Sequence, residues 1–214
     1  MKRREFTHGL AAGTLALAAG GAARAQGAPV EGRNYIRLQQ PAPVSLPAGK
    51  KVEVLEFFWY ECGHCGDFEP MLEAWLKGLP ADVEFRRVPV GFTARHQIAQ
   101  KAFYAMEEIG VLDALHPRVF SAIHVQGRRL LSEQAYADFV AANGGDAKKF
   151  SDAFRGFSVN TKANRARQLT DAYKIDSTPA MGIHGRFFTG PGLAGGHAGS
   201  LRVTDFLIQQ IRRG

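Results

Sequence analysis

The sequence contains little cysteine: Cys62 and Cys65 are the only two in 214 residues. So few cysteines exclude the disulfide-stapled scaffolds of small secreted domains, which need several bridges. The chain also lacks a run of about 18 strongly apolar residues, so we do not expect an integral membrane protein. It has no clustered basic block either, and we therefore expect no nucleic-acid binding.

The composition is otherwise that of a globular protein that can build a core, with 45% hydrophobic and 22% charged residues. The formal net charge is +7, but residues 1–25 hold four basic residues against one acidic residue. The remaining chain carries 23 basic and 19 acidic residues, a mild surplus typical of a solvated surface.

Residues 1–25 have the features of an export signal. A basic start at Lys2–Arg4 precedes a segment rich in alanine, leucine and glycine, and residues 23–25 (ARA) form a small-x-small cleavage pattern. We predict that this segment is removed and that the mature chain begins at Gln26. Because Arg3-Arg4 also resembles the twin-arginine signal, the Sec and twin-arginine routes both stay open. Either route leads to an oxidising compartment, where disulfide chemistry is possible.

The apolar patterns of the mature chain predict an α/β protein. Residues 26–50 are rich in proline and are predicted to be irregular, whereas 52–60 (VEVLEFFWY) predicts a buried central strand. Helical spacing follows from Phe68 to Leu76, and the alternation at 83–90 predicts a second strand.

The middle of the chain, from about residue 95 to about residue 167, has helical spacing, with Ser132 and Ser158 as candidate N-caps. The features predicted after this block are strands at 180–183 and 186–189 around a tight His184-Gly185 turn, a glycine-rich loop at 190–199, and a closing amphipathic helix that contains Val203 to Ile211.

The chemistry is expected at Cys62-Gly63-His64-Cys65. A structural zinc site needs four ligands, but the sequence has no second cysteine pair and no histidines at a matching spacing, so we expect no metal. A purely structural disulfide is an alternative, yet so small a loop would add little stability. We therefore interpret the pair as a reversible dithiol that needs no cofactor.

The pair follows the predicted buried strand and opens a helix. Unpaired N–H groups and the positive end of the helix dipole stabilise a thiolate at Cys62, the first cysteine. We interpret His64 as tuning that sulfur by charge or by a hydrogen bond, and Cys65, one helical turn on, as resolving a mixed disulfide. Pro70 is expected to kink the helix.

Glu56 is the second unusual residue, because it interrupts the apolar run Val54–Phe58. A buried carboxyl is costly unless it is paired or protonated. We interpret Glu56 as a proton relay beneath Cys65; the alternative is a glutamate at a strand edge that faces water.

Two motifs together resemble one family. Residues 54–65 (VLEFFWYECGHC) are similar to the active-site strand and helix of thioredoxin-fold proteins, specifically of the DsbA family. Thr178 and Pro179 begin a segment (TPAM) that is similar to the family's cis-proline loop. Taken without this resemblance, Pro179 is also compatible with an ordinary loop proline. Cys62 and Pro179 are 117 positions apart, which leaves room for the helical insertion that is typical of the family.

The resemblance implies a thioredoxin fold interrupted by an all-helical insertion. We expect residues 26–94 and 168–214 to form the thioredoxin fold and residues 95–167 to form the insertion. It further implies a monomeric periplasmic thiol:disulfide oxidoreductase that donates the Cys62–Cys65 disulfide to reduced or unfolded proteins newly exported from the cell interior.

In this family a DsbB-like membrane quinone reductase reoxidises the enzyme, and the residues matching Thr178 and Pro179 bind the substrate backbone. A disulfide isomerase or reductase on the same fold, and a chaperone-like peptide-binding module, stay as alternatives. The chain departs from the best-known pattern at Gly63-His64, where many members have Pro-His, and at Thr178, where valine is usual. We therefore expect an oxidant that is milder than the best-known members.

Overall fold

The structure is a computed structural model that describes residues 27–213. The predicted export signal lies outside these residues. The strands are β1 (Ile36–Arg37), β2 (Val52–Phe58), β3 (Val83–Pro89), β4 (Ala180–Ile183) and β5 (Phe187–Thr189). The helices are α1 (Gly63–Leu76), α2 (Ala94–Glu108), α3 (Leu112–Phe120), α4 (Glu133–Ala142), α5 (Ala147–Arg155), α6 (Phe157–Ala172), α7 (Pro191–Ala194) and α8 (His197–Arg213), and a π turn (Ser121–Val125) directly follows α3.

The five strands form one sheet in the order β1-β5-β4-β2-β3. Strand β2 pairs in parallel with β3 and antiparallel with β4, so it lies inside the sheet. All seven of its residues are buried, because helices cover both faces of the sheet. The prediction of a buried central strand is therefore confirmed, although the strand ends at Phe58 rather than at Tyr60.

Two apolar cores lie on opposite sides of this sheet. One contains Phe58 and Phe103 and joins the sheet to the helices between β3 and β4. The other contains Phe68 and Leu207 and joins the sheet to α1 and α8. Helix α1, which carries the cysteine pair, thus packs on the sheet face opposite most of the helical block.

The predicted hairpin is confirmed. Strands β4 and β5 pair antiparallel, and both His184 (φ 49°) and Gly185 (φ 65°) adopt the left-handed conformation that two-residue hairpin turns require. Ser132 is likewise confirmed as the N-cap of α4, since its hydroxyl accepts a hydrogen bond from the Ala135 N–H at 3.1 Å.

Three local predictions were wrong. The proline-rich segment 26–50 contains the short strand β1, which pairs with β5. Helix α6 begins one residue before Ser158 and is capped at Gly156, while the Ser158 hydroxyl donates to Glu108 instead. The glycine-rich stretch 190–199 is not a plain loop, because it contains α7 and the first turn of α8. No helix among residues 27–213 is long and apolar enough to cross a membrane.

Candidate active site: the dithiol at the start of helix α1

A tight turn connects the buried strand β2 to helix α1. The Cys62 N–H donates to the Trp59 carbonyl at 3.1 Å, and Cys62 then serves as the N-cap of α1. The Cys62 carbonyl accepts from the N–H groups of Cys65 (3.1 Å) and Gly66 (3.0 Å), which closes the first helical turn. The Cys62 sulfur therefore lies where a helix presents its free N–H groups.

Cys62 is half-buried. When it is protonated, its Sγ–H group donates to the Thr178 carbonyl at 3.4 Å. Hydrogen bonding by the Cys65 thiol, then by the Thr178 side chain and by the backbone N–H groups of Cys65 and His64, lowers the pKa of Cys62 to about 5, against the opposing effect of burial. At neutral pH this sulfur is consequently an anion, which is the nucleophilic form of cysteine.

Cys65 has the opposite character. It is completely buried, on the inner side of α1. Burial, followed by the neighbouring Cys62 and the carboxyl of Glu56, raises the pKa of the Cys65 thiol far above its usual range. The two sulfurs are thus one helical turn apart and differ sharply in acidity.

The loop before β4 faces the pair. The Thr178–Pro179 peptide bond is cis, and the Thr178 carbonyl is the group that contacts Cys62. A groove of about 700 Å³ runs beside this loop. Its walls include His64, Pro179, Phe188 and Leu193, together with Thr178, whose carbonyl contacts the Cys62 sulfur.

His64 contributes a backbone hydrogen bond to the site, and the predicted tuning of the sulfur by its side chain stays a prediction. Its backbone N–H lowers the pKa of Cys62, whereas its imidazole is exposed in the groove. The ring centroid lies 6.3 Å from that of His197, at the start of α8. The His64 imidazole therefore lines the groove beside the cis-proline loop.

Glu56 is completely buried in β2, so the alternative of a glutamate at a water-facing strand edge was wrong. Its Oε2 lies 3.3 Å from Arg87 Nε, and Arg87 also contacts Glu69 (2.7 Å) and Glu73 (2.5 Å). Burial raises the pKa of Glu56 to about 8, and although Arg87 opposes this shift, the charges of Glu69 and Glu73 reinforce it. Glu56 can therefore hold a proton at neutral pH close to Cys65.

The sequence analysis missed Arg87 and Glu69. Arg87 is the β3 residue directly opposite Glu56 in the parallel register, and Glu69 is on the buried side of α1. One signal was available: two neighbouring strands with a buried acid in one and two arginines in the other predict a cross-strand ion pair. The register that places Arg87 rather than Arg86 opposite Glu56 is set only by tertiary structure.

The site has the chemistry of a thiol pair. Within residues 27–213, no group of three or more histidine, cysteine or acidic side chains is arranged to hold a metal ion. A half-exposed thiolate beside a buried thiol, with a titratable carboxyl behind it, can exchange electrons with another dithiol by forming and resolving a mixed disulfide.

Comparison with known proteins identifies the family. The family profile described as a DSBA-like thioredoxin domain matches residues 53–194. The thiol:disulfide interchange protein DsbA of Burkholderia cepacia is 43% identical over 199 residues, covering 93% of each chain. DsbA of Bordetella parapertussis is 42% identical over 216 residues, covering 100% of both.

The fold agrees with this assignment. The crystal structure of Pseudomonas aeruginosa DsbA matches with a TM-score of 0.81 at 37% identity, covering 86% of this chain and 95% of that one. The predicted thioredoxin fold with a helical insertion is therefore confirmed. With its pair of cysteines in place at positions 62 and 65, the chain belongs to the DsbA family and is a thiol:disulfide interchange oxidoreductase.

Proposed function

We propose that the protein oxidises pairs of thiols in newly exported proteins and that Cys62 is the sulfur at which exchange occurs. The observation that carries this proposal is the contrast between the half-exposed Cys62, whose pKa is lowered to about 5, and the buried Cys65. A stabilised Cys62 thiolate favours the reduced form of the enzyme, so the disulfide form accepts electrons readily.

The reaction proceeds in two exchanges. A substrate thiolate attacks Cys62 Sγ of the disulfide, the Sγ–Sγ bond breaks, and Cys65 leaves with the electron pair. Glu56, held near pKa 8 by burial, supplies the proton that the buried Cys65 sulfur takes up. A second substrate thiolate then attacks the substrate sulfur of the mixed disulfide, and Cys62 leaves as a stable thiolate. Two electrons have moved to the enzyme and one disulfide has formed in the substrate.

Thr178 and Pro179 hold the substrate during this exchange. The groove beside them has a partly apolar lining that suits a polypeptide segment, and Thr178 in its wall contacts the reacting sulfur through its carbonyl. The exposed imidazole of His64, which also lines the groove, adjusts the charge there. Reduced or unfolded exported proteins are the substrates in this scheme.

The proposed setting is the periplasm, where the enzyme acts as a monomer and a DsbB-like membrane quinone reductase restores the disulfide. The export features of residues 1–25 support this location. In this scheme residues 26–94 and 168–214 act as the redox domain, and residues 95–167 form the inserted helical domain.

Refolding of reduced ribonuclease by the oxidised enzyme tests the proposal. We expect the parent protein to restore ribonuclease activity and Cys62→Ser to have none. Retained activity in Cys62→Ser would remove the enzymatic role and favour a peptide-binding chaperone. Equilibration with glutathione tests the direction of the reaction: a potential near the thioredoxin value of about −270 mV would indicate a reductase.

A further inference from the structure

The helical block contains a segment of rare geometry beside the dithiol. Helix α3 runs directly into the π turn at Ser121–Val125. Wide turns of this kind are uncommon in helices and are frequent at functional sites. The π turn brings His124, which the mechanism above does not use, against the beginning of α1.

His124 makes one polar contact and one close packing contact there. Its Nε2 lies 2.7 Å from the Tyr60 carbonyl oxygen, and because a carbonyl only accepts, Nε2 carries the proton and donates. The ring stacks on Phe120, with centroids 5.9 Å apart. A Cβ at Gly66 would lie 2.8 Å from His124 Cδ2, so the ring occupies the space that a side chain at Gly66 would need.

The carbonyl that His124 holds is at the centre of the active-site turn. The turn from Trp59 to Cys62 is closed by the Cys62 N–H, and the peptide between Tyr60 and Glu61 is its middle group. The two commonest turn types differ by a flip of that middle peptide. Because Tyr60 is completely buried, its carbonyl needs a protein partner in whichever orientation the turn adopts.

The side chain of Tyr60 is fixed from the same part of the chain. Its phenol oxygen lies 2.8 Å from Nδ1 of His116, in α3, and burial lowers the pKa of His116 although Glu69 opposes this shift. His116 Nε2 in turn lies 3.2 Å from Glu69. Two histidines eight positions apart in the insertion therefore hold Tyr60, one by its phenol and one by its carbonyl.

We propose that His124 is a positioning residue for thiol–disulfide exchange: by donating to the Tyr60 carbonyl it fixes the turn that places Cys62 at the N-terminus of α1. The inference rests on the proposed role of Cys62 as the reacting sulfur. Without the donor, the middle peptide is free to flip, and Cys62 loses its alignment with the backbone N–H groups of His64 and Cys65 that stabilise the thiolate.

The test compares three variants of the full-length mature protein. His124→Phe keeps a flat ring but removes the donor, and His124→Gln keeps an N–H near the position of Nε2. Val125→Ala is the matched control, since it truncates a neighbouring side chain of the π turn that is 82% exposed. The measurements are the thiolate absorbance titration of Cys62 and the equilibrium with glutathione.

We expect His124→Phe to raise the pKa of Cys62 by about one unit and to make the disulfide about tenfold harder to reduce. His124→Gln should recover most of both values, and Val125→Ala should leave both at the parent value. A His124→Phe protein that melts at a lower temperature but titrates like the parent would assign His124 a purely structural role and overturn the proposal.

Gly66→Ala provides a second route to the same answer if His124→Phe fails to fold. Its new Cβ displaces the ring while His124 itself remains, so the shift should have the same direction. An unchanged Cys62 titration in this variant would also contradict the proposal. If Cys62 of the parent protein titrates like a free thiol, the proposed function itself is wrong. If the parent has a lowered pKa and the His124 and Gly66 variants keep it, only the role of His124 is wrong.

Discussion

The surroundings of the two cysteines differ in almost every physical respect, although the residues are identical and one helical turn apart. Cys62 contacts Thr178 in the groove wall and is half-buried and surrounded by hydrogen-bond donors. Cys65 lies inside the protein, completely buried and near the carboxyl of Glu56. The pKa of the first thiol is lowered and that of the second is raised.

The surroundings at the start of α1 therefore determine the order in which the two sulfurs react. An attacking substrate can reach only the exposed sulfur, and the better leaving group in the final step is the sulfur with the lower pKa. In the proposed mechanism the buried sulfur instead receives its proton from Glu56. Substitutions around Cys62 should therefore alter the pKa of its thiol. Substitutions beneath Cys65 should alter the rate of proton transfer and the free energy of unfolding.

The largest expected effect comes from exchanging the two sulfurs one at a time for oxygen. Cys62→Ser should reduce the oxidation of a dithiol peptide by at least about 10³-fold, because no reacting sulfur remains at the surface. Cys65→Ser should also stop turnover, but when the peptide is supplied as its mixed disulfide with glutathione, the Cys62 thiolate should displace glutathione and stay joined to the peptide, because no second enzyme sulfur resolves the bond. Mass spectrometry of the intact protein distinguishes the two results.

The outcome that would break the comparison is a mixed disulfide formed by Cys65 in the Cys62→Ser protein. Such an adduct would mean that the buried sulfur is accessible to substrate. Far-ultraviolet circular dichroism should be the same for both variants, since each replacement changes one atom of a side chain.

The next effect is expected beneath Cys65. Glu56→Gln keeps the size of the side chain but removes its proton donor, so proton transfer to Cys65 should slow and the rate of exchange should fall by about 100-fold. Stopped-flow fluorescence of the exchange measures this rate. Glu53→Gln is the matched control, because Glu53 is equally buried in β2 but pairs with Arg86, and its exchange rate should stay at the parent value.

Glu56→Gln should also change how stability depends on pH. The folded-state pKa of Glu56 is raised to about 8, so in the parent the free energy of unfolding falls as the pH rises from about 4.5 to about 8. Each unit of displacement corresponds to about 1.4 kcal/mol. The free energy of unfolding, measured with urea at pH 5 and pH 8, should not show this decrease in the variant. An equal pH dependence in both proteins would contradict a buried, protonated Glu56.

Much of the redox site could be predicted from local sequence. The apolar run of β2 followed by Cys62 and a helical pattern places the dithiol at a helix start without further information, and Glu56 is conspicuous because its neighbours are apolar. The tight turn at His184-Gly185 is also local, since two consecutive left-handed residues need only their own backbone freedom.

The remainder depends on contacts between distant parts of the chain. Strand β1 has two residues and exists because β5 pairs with it, so its own sequence carries no strand pattern. The register that places Arg87 opposite Glu56 is set by the whole sheet. His124 reaches Tyr60 across 64 positions through a π turn, for which the sequence offers no periodic signal.

A smaller effect is expected from pH on the reduced and oxidised proteins. The folded-state pKa of Cys62 is lowered to about 5, so this group stabilises the reduced protein fully above its unfolded pKa of about 8.5. That contribution declines as the pH falls and is lost below about 5. The oxidised protein has no thiol to titrate.

The measurement is the difference in melting temperature between the reduced and oxidised proteins from pH 4.5 to pH 9. The melting temperature of the reduced protein minus that of the oxidised protein should rise with pH across this range. A difference that stays constant would show that Cys62 has an ordinary thiol pKa, and the contrast between the two sulfurs would then disappear.

The smallest expected effect comes from the Thr178 hydroxyl beside Cys62. Thr178→Val removes the hydroxyl that lowers the pKa of Cys62 but preserves the shape of the side chain and the carbonyl that contacts the sulfur. Since the Cys65 thiol and the backbone N–H groups still stabilise the thiolate, its pKa should rise by less than about one unit, and the glutathione equilibrium should shift by less than tenfold toward the disulfide. Thr204→Val is the matched control, because its hydroxyl donates only to the Ser200 carbonyl within α8 and its loss should leave the equilibrium unchanged. A larger shift from Thr178→Val than from His124→Phe would mean that the substrate loop, rather than the turn at Tyr60, governs the acidity of Cys62.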